Sequence, residues 1–194
     1  MRTARIRAAA LVIAAALAAN SQSAPATTHV VKVLDIFARL QASQQKYQPV
    51  QFQLTDAEID EYSRYALTVT PRPGLRSFSV KAFPNNYLAT LALVDFDAVE
   101  RWKPGTIPTL LKPVLSGQKA IQVDIRFQAA GGHATFTIEK AYFQNIRLPA
   151  IVVSQMVATL AARQPEHYDT SKPVPLPFGL KKAWTSGHTV FGGN

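Results

Sequence analysis

The sequence predicts an α+β domain built on an antiparallel sheet, and three observations carry that expectation. Residues 121–138, IQVDIRFQAAGGHATFTI, alternate apolar and polar on both sides of a Gly-Gly pair, the pattern of a half-buried hairpin. Two further runs, RSFSVKAF and YLATLALVDF, alternate around the turn-prone PNN. Helical stretches fall between these hairpins, so each strand has its partner next to it in the chain and no parallel crossover is needed.

The elements follow in order. In HVVKVLDIFARLQAS, Val30, Val33, Leu34, Phe37 and Leu40 recur at helical spacing, which predicts an amphipathic helix over 29–45 although its Val and Ile content suits a strand as well. QPVQFQL alternates and reads as a short strand. Thr55 followed three residues later by Glu58 has capping-box spacing and opens a helix to about Ala66, ended by TPRPGL. After the first hairpin, DAVERW is a short helix for which Asp97 is the natural N-cap, and TLLKPVLSG is irregular or helical. The second hairpin runs on through EKAYFQNIRLP. A helix follows from Pro149, with Ile151, Val152, Gln155, Met156, Thr159 and Leu160 on one side. The proline-rich RQPEHYDTSKPVPLP reads as a long surface loop, and the tail forms a last hairpin turning near Ser186–Gly187.

The first 26 residues carry an address. Arg2, Arg5 and Arg7 precede the apolar AAALVIAAALAA, then small residues with Ala24 and Ala26 in an A-x-A arrangement. That is the order of a secretory signal peptide, with a core short for a bilayer span. Cleavage there leaves residues 27–194 as one domain, exported to the periplasm or secreted. The chain has no Cys, which excludes both a lipoprotein anchor and a disulfide framework. The net charge of +9 includes the three leader arginines. With only 17% charged residues the basic bias is mild, fitting an anionic membrane surface better than nucleic acid.

Catalytic chemistry has little to stand on. His29, His133, His167 and His188 lie at no metal-ligand spacing, and no cofactor motif occurs. Asp95 and Asp97 share one face if on a strand and could serve as an acid/base pair, but helix capping explains them better. SQQK at 43–46 satisfies S-x-x-K without the companion motifs of penicillin-recognising enzymes. No enzyme, metal or cofactor is expected.

LTDAEIDEYSRYAL, YLATLALVDFDAV, FQNIRLP and LPFGLKKAWTSGHTVFGG come in an order that resembles bacterial envelope proteins of the tubular lipid-binding (TULIP-like) type, such as the YceB-like and LmeA-like groups. The resemblance spans about residues 50–192 and implies a long, curled antiparallel sheet wrapped around a helix, with an apolar groove for lipid. On that reading a lipid or other hydrophobic ligand meets Phe78, Val80, Leu91, Leu93, Ile121, Val123, Ile125, Phe127, Phe136 and Ile138, with Ile151 and Met156 from the following helix. Arg72, Arg76, Lys81, Lys181 and Lys182 would form a basic rim. The alternative is an envelope scaffold or interaction module, its sheet face filled by its own helix.

Overall fold

The structure, a computed structural model, describes residues 26–46, 48–107, 109, 112–155 and 172–194. Residues 1–25 of the leader lie outside the described residues, as do Met156, Thr159 and Leu160 of the expected helix and residues 163–171 of the expected loop. Helix α1 spans Thr28–Lys46. Its stripe of Val30, Val33, Ile36, Phe37 and Leu40 is buried, each 5% exposed or less, and this burial on one helical face decides against a strand. Strand β1 (Gln51–Thr55) leads directly into α2 (Asp56–Val69). Both halves of the capping box form: the Glu58 N–H donates to Thr55 Oγ1 at 3.3 Å and the Thr55 N–H to Glu58 Oε2 at 2.8 Å. Burial pushes the Glu58 carboxyl up, but Lys32 and Thr55 outweigh it and hold the group below its ordinary value. Helix α2 runs one turn beyond the expected Ala66, because the first residue that disfavours helix is Thr70, which precedes Pro71.

Strands β2 (Leu75–Phe83) and β3 (Tyr87–Asp95) form the first hairpin. Helix α3 (Phe96–Trp102) follows with no intervening residue, so its N-cap is Asp95, which accepts the Ala98 N–H at 2.9 Å. The expectation of Asp97 as cap is corrected: β3 pairs right up to Asp95, and Asp97 falls in the helix's first turn. Gly74 allows α3 to close on β2; it has φ +82°, and a Cβ there would lie 2.2 Å from Val99 Cγ2. Strands β4 (Gln118–Ala130) and β5 (His133–Phe143) form the second hairpin about Gly131–Gly132, and β6 (Ile146–Arg147) folds back on β5. Residues 150–155 are helical. Val174–Pro175, expected as loop, form β7 against His133 and Ala134, leaving an edge position that proline tolerates. After a 3₁₀ turn at Pro177–Gly179, β8 (Lys182–Ser186) and β9 (Thr189–Gly193) form the third hairpin.

All nine strands join one curled, half-barrel antiparallel sheet in the order β1-β9-β8-β4-β3-β2, with β5 on the other edge of β4. The principal core is made by α1 with Leu54, Tyr62 and Leu180. Phe37 lies between Tyr62, edge-on at 5.4 Å, and Phe178, stacked at 5.7 Å. Ser43 of the S-x-x-K stretch is buried there, donating to the Leu40 carbonyl and accepting from Asn194 Nδ2, which gives it a structural use.

The edge strand β2 would leave a row of backbone N–H groups unpaired. Helix α2 takes two of them: Asp60 Oδ1 accepts from Val80 N at 2.9 Å and Asp56 Oδ1 from Ala82 N at 2.8 Å. The spacings match, since four residues of helix rise about 6.0 Å and two of strand about 6.6 Å. Replacing both with alanine (D56A/D60A) should cost about 2–4 kcal/mol in denaturant unfolding, and the Val80 and Ala82 amides should lose exchange protection. The D56N/D60N pair keeps both acceptors and should lose less than half as much.

Candidate functional site

Residues directly paired across strands share a sheet face, so the register assigns the faces. Phe78 pairs with Ala92, Val80 with Thr90, and these two β3 residues with Ile121 and Val123. Ile125 pairs with Ile138 and Phe127 with Phe136. Eight of the expected ligand-facing residues therefore stand on one apolar face: Phe78, Val80, Ile121, Val123, Ile125, Phe127, Phe136 and Ile138. Ala129 of this face pairs with Ala183 of β8, and Ala183 with Gly192, which pairs with Phe52. The face that packs on α1 is thus continuous with the apolar face of β2–β5.

Leu91 and Leu93 are not part of it. Leu91 pairs with Ser79 and Gln122, and Leu93 with Ser77 and Ala120, so both side chains stand on the opposite face. Hydrophobicity placed them in the groove; in YLATLALV both parities are apolar, and only the register separates them. Met156 lies outside the described residues. Ile151 is 64% exposed and does not cover the sheet.

Burial along the face is uneven. Phe127, Ala82, Ala134 and Ala141 are buried, whereas Ile121, Val123, Ile125, Phe78 and Val80 are half-buried. Phe136 and Ile138 are 45% and 37% exposed. They open onto a cleft of about 660 Å³, bounded by Ala141 and by Leu148, Pro149 and Val153 of the segment beyond β6, with Lys140 and Arg147 in its wall. That volume lies within the range of small-ligand pockets. Its far wall leaves no trace in the sequence, because nothing in RLPAIVVS says where the chain returns to the sheet.

A bulge shapes this wall. Asp124 pairs with Lys140 but Ile125 pairs with Ile138, so Glu139 is an extra residue in β5. Lys140 is thereby shifted to the polar face, while Ala141 and Phe143 join the apolar one opposite Val123 and Ile121. Two successive charges in TIEKAYF are the signal of that slip.

The polar face has its own network. Asp124 is 5% exposed and accepts from the Tyr87 hydroxyl at 2.8 Å and from Gln122 Nε2 at 3.0 Å. Arg126 pairs with Glu139 and lies over the Tyr87 ring at 5.5 Å. Burial, reinforced by the Asp124 hydrogen bond, pushes the Tyr87 hydroxyl up to about 12. This arrangement holds strands together and presents no nucleophile. Among the described residues no cluster of three metal-ligating side chains occurs, and no helix is long and apolar enough to cross a membrane. Asp95 is occupied by Arg76 at 2.6 Å besides the α3 cap. Comparison with protein-family models, curated proteins and solved structures finds no match for the chain.

Removing the Tyr87 hydroxyl tests the network. Y87F leaves buried Asp124 with one donor fewer and should cost about 1–3 kcal/mol in unfolding free energy. The raised value also sets a pH limit: the neutral hydroxyl stabilises the fold below its ordinary value near 10, and that contribution is lost as pH rises toward 12. In alkaline melts the wild type should therefore decline over this window, and Y87F should decline less.

Proposed function

We propose that the protein binds a lipid or other hydrophobic molecule on the uncovered part of its apolar sheet face, as a non-enzymatic carrier of the tubular lipid-binding type. The observation that carries this reading is a single continuous apolar face whose one end is packed on α1 and whose other end, at Ile138 and Phe136, opens onto a cleft. Large apolar side chains left half-covered in a concave surface mark a binding surface more often than a defect of packing. Covering about 300 Å² of such surface contributes roughly 7 kcal/mol before the costs of immobilising the ligand. Residues 1–26 direct the chain out of the cytoplasm in this reading, where an acyl chain would otherwise have no shelter from water.

Native mass spectrometry of the protein from an exporting host tests it, followed by extraction of any bound amphiphile. A near-stoichiometric adduct is expected. A clean apo mass that gains nothing when phospholipid or fatty acid is offered would replace the carrier with the scaffold reading. In F136S/I138S, whose replaced side chains are already partly exposed, the adduct should fall on the order of tenfold while the thermal midpoint changes little.

A further inference from the structure

The apolar face and its cleft are not the molecule's most exposed apolar surface. Among the described residues, the four most exposed large apolar side chains are Ile146 at 69%, Trp102 at 66%, Ile151 at 64% and Val114 at 56%. Ile146, Trp102 and Val114 belong to one end of the sheet. Asp95 at the end of β3 pairs with Gln118 at the start of β4, and Ile121 pairs with Phe143 at the end of β5. Helix α3 with Trp102 starts from this end, and Phe96 contacts Phe143 at 6.4 Å. The loop carrying Val114 returns to it through the Phe96 N–H to Gly117 carbonyl bond. Gln144 N donates to the Ala120 carbonyl, which holds the turn before Ile146 beside it.

The tip is built, not frayed. Glu100 accepts from the Gly105 and Ile107 amides, both at 3.0 Å, and from Lys112 Nζ at 3.1 Å. The two amide bonds, then Lys112, hold its carboxyl down at about 2. This fixes the loop after Trp102 and leaves the indole outward. Cations surround it: residues 96–119 and 140–151 hold six Lys and Arg against two acidic residues. Arg101, Lys103, Lys119, Lys140 and Arg147 make no ion pair among the described residues.

We propose that this end of the sheet is a docking surface for an anionic lipid bilayer, with Trp102, Ile146 and Val114 entering the head-group layer and the neighbouring Lys and Arg meeting lipid phosphates. A protein partner would be expected to find a contiguous apolar centre depleted in lysine. Here the apolar tips stand on separate elements, each with a cation beside it in the chain (Arg101 and Lys103 flank Trp102, Lys112 precedes Val114, Arg147 follows Ile146), which suits insertion among head groups. The inference goes beyond cargo binding and does not require it.

Flotation with vesicles of equal parts phosphatidylglycerol and phosphatidylcholine tests this, using the protein from an exporting host with its mass recorded. Wild type should float with these vesicles, much less with phosphatidylcholine alone, and less as salt is raised. W102A/I146S should bind on the order of tenfold more weakly with an unchanged circular dichroism spectrum. K103E/R147E should weaken binding to the anionic vesicles alone. With W184F as background, the emission of Trp102 should shift to the blue on vesicle addition. No flotation by the wild type, or flotation that survives both double variants, overturns the proposal. Cargo is read separately by native mass spectrometry, so either result stands without the other.

Discussion

Strand β4 is thirteen residues long, and no single neighbour matches its length. On one edge β3 pairs with it from Gln118 to Arg126, and β8 takes over at Ala129. Backbone groups at that junction must be satisfied, and the turn between β2 and β3 does it. The Asn86 carbonyl accepts from Phe127 N, and its side-chain oxygen accepts from Thr185 N of β8. Asn85 and Asn86 both have positive φ, a conformation asparagine tolerates better than most residues. One turn therefore splices the two-strand β2–β3 hairpin and the three-strand β8-β9-β1 ribbon onto a common strand.

The same splice explains why the apolar face has two different fates. At the β1-β9-β8 end it meets α1, whose nineteen residues reach about 28 Å. Strand β4 alone spans about 43 Å, so the face runs on beyond what one helix can cover. Helix α2 does not make up the difference, because Asp56 and Asp60 hold it on the β2 edge. The part left over is where Ile138 and Phe136 stay partly exposed.

Much of this was legible in the sequence. Alternation about Gly131–Gly132 and about Pro84–Asn86 located both hairpins, and the Thr55–Glu58 spacing located the start of α2, because each depends on neighbours in the chain. The apolar face was legible wherever one parity alone was apolar, as in Ile121, Val123, Ile125 and Phe127. It was not legible for Leu91 and Leu93, whose strand is apolar on both parities. Nor was the use of Asp56 and Asp60, since a helix carboxylate that accepts from a strand edge leaves no periodic trace. The cleft and the cationic tip depend on which loops meet, and their residues are scattered from Arg101 to Val153.

The bulge at Glu139 shows how a local irregularity serves both surfaces. Continued alternation from Phe136 and Ile138 would have placed Lys140 on the apolar face opposite half-buried Val123, where an unpaired ammonium is costly to bury. The extra residue removes that conflict and puts Ala141, a small side chain, in its place. A bulge also bends its strand. In β5 that bend falls where Lys140 and Ala141 enter the wall of the cleft. The cation thus stays on the polar face opposite Asp124, while Ala141 and Phe143 continue the apolar one.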